Sequence, residues 1–575
     1  MPMNHLSLDR RRFLAGSAVL TAATATVGLR PAWAASVSYG LAAKGFGTLA
    51  GRDIRLTIDQ RGFAVDGRQG HAIAINGTIP APLIRLKEGD TVRLTVDNRM
   101  GEDTSIHWHG LLVPFQMDGV PGISFPGIAP RTAFTYEFPI IQSGTYWYHS
   151  HSGLQEQLGH YGPIVIDPAG PDPIAFDREH VIVLSDWSFM HPHTIVARLK
   201  QKGGFFNRHK STLSDPVQLP PGEKAMFDRM RMDPTDISDV TAAAYTYLIN
   251  GHSPAENWTG LFQPGERVRL RIINAAAQSI FNLRIPGLRM TVVAADGINV
   301  RPVEVDEFQI GNAETYDVIV TPGDAAFALV AESIDRSGMG VATLAPRAGM
   351  RAVAPALRER PVLTMKDMGH ASMDHSAMGH GGMDSGASGG SMNMRDKSKV
   401  DFPVGPGVDM IAPMPTDRIG DPGIGLDRVG HRVLNYKDLA ALEPGRDNRV
   451  PTRRIDIHLT GNMERFMWSM DGQKLSERPD PYRFARNERV RLRLINDTMM
   501  THPMHLHGHF FELVNGHGSH QPLKHTVRVL PGGFVDLDLT ADAPGDWAFH
   551  CHMLYHMHAG MMRVVTIRPL DGDKA

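Results

Sequence analysis

Four histidine pairs with one intervening residue stand towards the two ends of the chain: His107/His109, His149/His151, His505/His507 and His550/His552. Residues i and i+2 of a β-strand point to the same face, so each pair presents two imidazoles together. Imidazole binds zinc, copper, iron and nickel. A structural zinc site takes four ligands, so eight histidines fit a multinuclear metal site better.

Cys551 is the only cysteine in 575 residues, and it lies between His550 and His552. On a strand it faces away from both histidines. It can then meet residues of the upstream "THPMHLHG" stretch and of the downstream loop, namely His502, His556 and Met561. Two imidazoles, one thiolate and a weak thioether are the ligand set of a blue-copper electron-transfer site.

The N-terminal motifs lack this second ligand set. Ser150 stands at the place of Cys551, and Thr104 stands at the place of His502. The N-terminal part can therefore supply half of a histidine cluster but cannot hold a blue site. The alternative for all these residues is that the histidines are structural and the thiol is buried and inert.

A repeated β-unit is predicted to position the motifs. The stretches "GDTVRLTVDN" (89–98), "GERVRLRIIN" (265–274) and "NERVRLRLIN" (487–496) alternate as strands with one buried face do. A His-x-His motif follows the first and third copies, whereas the second copy has Leu283 and Ile285 there. We predict an all-β chain with domains at 36–170, 171–350 and 416–575, and a short helix within 187–240.

The motifs "HWHG", "HSH", "HPMHLHG" and "HCHMLYHMHAGM" resemble, in this order, the four copper-binding motifs of the multicopper oxidases. The resemblance covers nearly the whole mature chain. It implies three cupredoxin-like Greek-key domains, a middle domain without copper, and four copper ions that pass electrons from a donor to dioxygen and yield water. It implies a type 1 copper at His502, Cys551, His556 and Met561, a type 2 copper at His107 and His505, and a type 3 pair at His109, His149, His151, His507, His550 and His552.

Four residues receive catalytic roles from this resemblance: Cys551, His550, His552 and Asp118. Cys551 is bonded along the chain to His550 and His552, which forms a short covalent route between the two sites. Asp118, in "QMDGVPG", resembles an acidic residue that supplies protons near the cluster. Asp-Gly is also a turn signal, so a plain turn residue is the alternative. His160, His252 and His520 match no motif and are interpreted as ordinary polar histidines.

Residues 351–415 are predicted to be a Met/His-rich linker. Methionines and histidines recur there every five residues among Gly, Ser and Asp, and the candidate Cu(I) ligands are Met365, Met368, His370, Met373, His375, Met378, His380 and Met383. Thioethers favour Cu(I), but a solvated tether is the alternative. This insertion, with its "MDHSAM" stretch, resembles the copper-resistance protein A branch of the family, which implies oxidation of Cu(I) and a role in copper tolerance.

Three hypotheses for the activity stay open. The first is a cuprous oxidase for copper tolerance, with periplasmic copper carriers among its expected partners. The second is a laccase-like oxidase of phenols, and the third is a copper-sequestering protein that works through its Met/His segment. In some cuprous-oxidase relatives an acidic residue follows the type 1 histidine, but this chain has Met557 there. Methionines such as Met499 and Met500 near His502 either guide Cu(I) or pack as core.

The N-terminus predicts export to the periplasm. "DRRRFLAG" resembles a twin-arginine signal, and Ala32-Trp33-Ala34 resembles a cleavage site, so residues 1–35 are predicted to be a signal peptide removed near Ala34. The apolar run is too short for a stable membrane span. The net charge of −2 shows no basic surface for nucleic acid.

Overall fold

The computed structural model describes residues 39–207, 219, 224, 227, 232–369 and 394–570. The described part of the chain contains 34 strands and two α-helices, α1 (Pro192–Gln201) and α2 (Leu554–Ala559). Helix α1 lies in the region where a short helix was predicted. It begins after His191, whose ring caps the first turn, and it has Pro192 at its first position. Among the described residues, no helix has the length and hydropathy needed to cross a membrane.

The first sheet pair contains β1 to β11. Their bounds are β1 (Ala43–Lys44), β2 (Thr48–Ala50), β3 (Asp53–Val65), β4 (Arg68–Ile75), β5 (Thr78–Ile79), β6 (Leu83–Lys87), β7 (Thr91–Asn98), β8 (His107–His109), β9 (Ala133–Pro139), β10 (Gly144–His149) and β11 (Tyr161–Asp167). One sheet has the order β1-β5-β4-β3-β7-β9, and the other has the order β2-β6-β11-β10-β8.

The second sheet pair contains β12 to β22. Their bounds are β12 (Arg178–Trp187), β13 (Thr246–Ile249), β14 (Thr259–Leu261), β15 (Val268–Asn274), β16 (Phe281–Arg284), β17 (Met290–Ala295), β18 (Ile298–Val305), β19 (Glu307–Ile310), β20 (Thr315–Val320), β21 (Phe327–Ser333) and β22 (Met339–Ala345). The two sheets have the orders β13-β12-β15-β20-β17-β18 and β14-β22-β21-β16-β19.

The third sheet pair contains β23 to β34. Their bounds are β23 (Thr416–Asp417), β24 (Arg453–Asn462), β25 (Met467–Met470), β26 (Tyr482–Ala485), β27 (Arg489–Asn496), β28 (His502–Leu506), β29 (Phe511–Leu513), β30 (Leu523–Lys524), β31 (Thr526–Val529), β32 (Gly533–Thr540), β33 (Gly545–Cys551) and β34 (Met562–Arg568). One sheet is β25-β24-β27-β32-β29-β30, with β23 beside β32, and the other is β26-β34-β33-β28-β31.

The three sheet pairs repeat one topology, as the sequence repeat predicts. Strands β7, β15 and β27 are the three repeated stretches, and they pair in parallel with β3, β12 and β24. Each also pairs antiparallel with β9, β20 or β32. Strand β7 alternates exposed and buried side chains, so its sequence pattern matches a one-sided core. The chain is therefore all-β with three cupredoxin-like sandwiches.

Parts of the predicted linker pack against the sheets. Leu363 and Val408 are fully buried, and the Thr364 hydroxyl and Asp367 carboxylate cap the turn Met365–Met368. Gly369 accepts a hydrogen bond from Met414 N–H, and Met394 accepts one from Ile411 N–H. Apolar residues on both flanks thus find a core that composition alone did not predict. Residues 370–393, which carry six of the eight candidate Cu(I) ligands, lie outside the described residues.

A buried ion network joins the second and third sheet pairs. Lys524 Nζ lies 3.1 Å from Asp296 Oδ2 and 3.1 Å from Glu314 Oε1, and all three side chains are fully buried. Arg528 Nε lies 2.9 Å from Glu314 Oε2. Charges taken out of water need partners, so these residues hold the two sheet pairs at a fixed contact.

We expect Lys524→Met to destabilise the protein, because it leaves Asp296 and Glu314 buried with less compensating charge. Removing one partner of a buried pair costs about 3–5 kcal/mol. Lys437→Met is the matched control, since its pair with Asp417 is 3.9 Å apart on the surface and surface pairs contribute about 0–1 kcal/mol. Denaturant unfolding measures both variants. Equal midpoints for the two would contradict this role of Lys524.

Candidate metal centres

The eight histidines of the four His-x-His motifs converge in one place, the histidine cluster. Antiparallel pairing of β8 with β10 puts His107 opposite His149, and pairing of β28 with β33 puts His505 opposite His550. The second histidine of three motifs follows just after its strand: His151 after β10, His507 after β28 and His552 after β33. The strand ends, and not only the strand faces, bring the imidazoles together.

The histidine cluster forms between the first and third sheet pairs. The rings of His107 and His507 stack with centroids 3.8 Å apart, and so do those of His109 and His505. Three pairs of Nε2 atoms approach closely, at 3.4 Å for His151–His550, 3.3 Å for His149–His552 and 3.0 Å for His507–His550. Four of these five contacts join the two sheet pairs, so neither pair alone can form the cluster.

Backbone carbonyls fix which ring nitrogen faces the cluster. The Nδ1–H of His107 donates to Asp118 O and that of His505 donates to His525 O, both at 2.7 Å. The Nδ1–H of His550 likewise donates to Cys551 O at 2.9 Å. Each Nε2 is then left as an unprotonated ligand atom, as is typical of metal-binding histidines.

The free nitrogens test whether metal ions fit the cluster. Nε2 of His107 and of His505, and Nδ1 of His109 and of His552, are buried and have no hydrogen-bond partner among the described residues. A buried polar atom without a partner costs about 1–3 kcal/mol. Metal ions bound among these rings would satisfy Nε2 of His107 and of His505 and Nδ1 of His109, so the residues fit a multinuclear site, whereas His552 faces the cluster through its Nε2.

Burial keeps His109, His505, His507 and His550 of the cluster neutral. Burial away from water is the largest cause that lowers the pKa of His109, His505 and His507 well below the usual value. Repulsion from neighbouring imidazoles lowers the pKa further. Burial lowers the pKa of His550 to about 4. Neutral imidazole is the form that binds a metal ion, and at neutral pH no proton has to be displaced from these rings.

A second group, the cysteine centre, consists of His502, Cys551, His556 and Met561. Cys551 Sγ lies 3.6 Å from His502 Nδ1 and 3.8 Å from His556 Nδ1, and the two nitrogens are 3.2 Å apart. Met561 is fully buried in the same apolar cluster and accepts a hydrogen bond from Cys551 N–H. Burial raises the pKa of Cys551, so the thiolate needs a metal cation beside it.

Outer partners hold both imidazoles of the cysteine centre. His502 Nε2–H donates to Thr498 Oγ1 at 2.7 Å. His556 Nε2 lies 2.6 Å from Asp239 Oδ2, and the Trp468 ring stacks on His556 at 3.9 Å. Burial raises the pKa of Asp239 to about 7. These contacts direct both Nδ1 atoms towards Cys551.

In the first sheet pair, Gln155 occupies the place equivalent to the cysteine centre. Its Oε1 accepts hydrogen bonds from Thr104 Oγ1 at 2.7 Å and from Ser150 Oγ at 2.9 Å, and its Nε2–H donates to Asp103 O. The two residues that replace His502 and Cys551 are thus bonded to one amide.

Asp118 combines a turn position with a contact to the cluster. It ends the 3-10 turn Phe115–Met117, and its Oδ2 accepts a 2.8 Å hydrogen bond from His507 Nδ1–H. The following Gly119 has φ +84°, and a Cβ there would lie 1.8 Å from Ile106 O. Glycine is required at this turn, and it lets the buried Asp118 approach the cluster.

Several residues near the two centres escaped the sequence analysis. The ring centroids of His525 and His109 are 4.8 Å apart, and ring nitrogens of His109, His505 and His525 lie close enough to share a metal ion. Glu156 Oε2 lies 2.7 Å from His149 Nδ1. No motif marks these positions or Asp239, because each reaches its centre from a separate loop. His160, His252 and His520 lie in neither centre.

Three regions of the chain match the sequence pattern described as multicopper oxidase, at residues 57–170, 221–348 and 448–571. A copper resistance protein A homolog from Pseudomonas syringae pv. tomato is 47% identical over 547 residues, which cover 90% of this chain and 93% of that protein. The copper resistance protein A of Escherichia coli is 45% identical over 606 residues, with 98% and 99% covered. The chain belongs to the multicopper oxidase family.

Multicopper oxidases bind copper and use dioxygen, so this protein is a copper-dependent oxidoreductase. Its similarity to copper resistance proteins A agrees with copper oxidation and copper tolerance. Solved structures support the fold. The multi-copper oxidase of Pseudomonas thermotolerans has a TM-score of 0.58 at 20% identity and covers 91% of this chain and 100% of its own. The laccase of Botrytis aclada has a TM-score of 0.60 at 21% identity, with 91% and 88% covered.

We expect Asp239→Asn to weaken copper binding at the cysteine centre, because an amide oxygen is a weaker acceptor for His556 Nε2–H than a carboxylate. Loss of such an outer partner typically lowers metal affinity about 10–100-fold. Chelator competition, read from the visible thiolate absorption and the copper content, measures the change. Asp324→Asn, at a surface pair with Arg347, is the control. An unchanged affinity in Asp239→Asn would rule out this role.

Proposed function

We propose that the protein oxidises Cu(I) and reduces dioxygen to water. His502, Cys551, His556 and Met561 would hold a type 1 copper, and His107 and His505 a type 2 copper. A type 3 pair would be held by His109, His149, His151, His507, His550 and His552. Bound copper supplies one-electron transfer at the first site and reduction of dioxygen at the others. The buried nitrogens without protein partners support this assignment.

The chain between the centres connects them by covalent bonds. Cys551 is flanked by His550 and His552, and the pairing of Met504 with Cys551 fixes strand β33 beside β28. Asp118 touches His507 through Oδ2 and contributes its carbonyl to His107. We assign it as the group that delivers protons towards the cluster, a role worth about 10²–10⁴-fold in rate.

The proposed organisation has three cupredoxin-like domains at 36–170, 171–350 and 416–575, with the Met/His-rich segment within 351–415. Residues 1–35 would direct export to the periplasm, where the signal would be removed. There the protein would meet Cu(I), dioxygen and copper carriers. The three matched regions and the three sheet pairs support this division into three domains.

A cavity beside the cysteine centre is the observation that favours Cu(I) as the electron donor. This methionine cavity, of about 460 Å³, is lined by four methionines, Met232, Met410, Met463 and Met499, and by five carboxylates, Asp233, Asp236, Asp409, Glu464 and Asp497. Thioethers bind Cu(I), and carboxylates attract a cation. A phenol pocket would instead be lined by aromatic and apolar groups.

The methionine cavity has a direct contact to the cysteine centre. Thr498 lines the cavity, and its hydroxyl bonds to His502 Nε2 at 2.7 Å. Cu(I) held near Thr498 and Met499 would therefore be one hydrogen bond away from a ligand of the type 1 copper. This contact supplies an electron entry that does not need an acidic side chain at Met557.

We expect Met232→Leu/Met463→Leu to raise the KM for Cu(I) about tenfold or more, because two soft ligands are replaced by apolar groups of similar size. Phenol oxidation should stay within about twofold, since neither residue is a proposed copper ligand. Oxygen uptake with each donor measures both. The control is Met414→Leu, at an exposed methionine. An equal loss with both donors would favour the laccase-like alternative.

A deletion tests the Met/His segment. Met368 is fully buried and Asp367 pairs with Arg418 at 2.6 Å, so the cut must spare them. Replacing 370–393 by a short Gly-Ser bridge is feasible because both flanks bond to residues 411–414.

We expect this deletion to weaken Cu(I) oxidation more than phenol oxidation, because the removed methionines favour Cu(I). Steady-state oxygen uptake by the deletion variant and by Cys551→Ser gives the comparison. If Cys551→Ser abolishes turnover while cells keep their copper tolerance and the deletion removes that tolerance, the copper-sequestering alternative is correct.

A further inference from the structure

A further His-x-His motif, His191-Pro192-His193, belongs to neither metal centre. It forms the N-terminus of α1, and with His71 of β4 it lines a cleft of about 360 Å³. The histidine cleft, as defined by His71, His191 and His193, also has Glu102 and Asp103 on its rim. Three imidazoles from two separate elements therefore face one open space.

The spacing of these rings resembles that of rings in the metal centres. The centroids of His191 and His193 are 5.4 Å apart, and those of His71 and His191 are 6.3 Å apart. Pairs in the metal centres have centroids 5.1 Å apart for His502–His556 and 5.8 Å for His107–His505. A common ion for all three rings requires rotation of the His191 and His193 side chains, and both are exposed.

The electrostatics of the cleft suit a cation. Burial lowers the pKa of His71 and of His191, and the neighbouring His193 lowers that of His191 further, which keeps both rings in the neutral, ligand form. The nearby Glu102 carboxylate raises the pKa of both rings in part, so negative charge lies close to them. Imidazole and carboxylate together bind a divalent cation such as Cu(II).

The cleft also adjoins the histidine cluster. Its wall includes Ser152, Gly153 and Gln155, which follow His151 directly in the chain. His151 is the only one of the eight cluster histidines that is partly exposed. The wall is tied to the cluster segment, because Ser105 Oγ accepts hydrogen bonds from His151 N–H and from Ser152 Oγ–H.

We propose that His71, His191 and His193 form an additional copper site, and that copper passes from it to His151 when the histidine cluster is loaded. The binding site itself is independent of the proposed Cu(I) oxidation. The loading role rests on the proposed copper ligands of the histidine cluster.

The test compares wild type with His191→Asn/His193→Asn. Asparagine caps a helix well, so α1 keeps its N-terminus while both imidazoles are lost. The control is His517→Ala/His520→Ala, at two surface histidines that bond only to backbone carbonyls. Copper-loaded enzyme is titrated with Cu(II) and followed by EPR and copper content. The Met/His segment is identical in all three proteins, so its copper cancels in the comparison.

We expect wild type and the control to bind one Cu(II) more than the asparagine variant. When the copper-depleted asparagine variant is given limiting copper, its histidine cluster should refill about tenfold more slowly than that of wild type, which is the lower end of the effect that mutations around metal sites have on affinity or activity. Equal copper binding by all three proteins overturns the site. If the asparagine variant binds one copper fewer but its histidine cluster refills at the wild-type rate, the loading role is overturned. Fully loaded asparagine variant should oxidise Cu(I) at the wild-type rate, so failure of the oxidase itself is visible separately.

Discussion

The contact between the first and third sheet pairs is the constraint on which the rest of the structure depends. The stacked rings of His107 with His507 and of His109 with His505 each join the two sheet pairs at 3.8 Å. Eight imidazoles in one buried space are unfavourable without metal ions, because several of their ring nitrogens lose water and gain no hydrogen-bond partner. The buried nitrogens lower the stability of the metal-free interface, and bound metal ions restore that stability.

The second sheet pair has no histidines at the equivalent positions, yet it contributes to both centres. Asp296 accepts hydrogen bonds from the backbone N–H groups of His525 and Thr526, and the His525 carbonyl orients His505. Asp239, from the segment before β13, holds His556. The middle of the chain therefore acts as a rigid support whose carboxylates orient ligands on its neighbour.

The sequence allowed the fold class, the three repeats and the convergence of the His-x-His motifs to be predicted, because each depends on local alternation and on motif order. It did not reveal Asp239, Glu156 or His525. Asp239 is 317 residues from His556 in the chain, and no spacing rule covers such a distance. The packed flanks of the Met/His segment were also missed, because the apolar side chains of Leu363 and Val408 are scattered without a strand or helix period.

The amide of Gln155 has a consequence for where electrons can enter the protein. It ties Thr104 and Ser150 together at the spot where a twin of the cysteine centre would otherwise stand. A cysteine introduced at Ser150 would lie beside the Gln155 amide instead of beside imidazoles. A second cysteine centre therefore cannot arise by one substitution. In the proposed assignment, electrons therefore enter at the cysteine centre of the third sheet pair, and the first sheet pair contributes half of the histidine cluster.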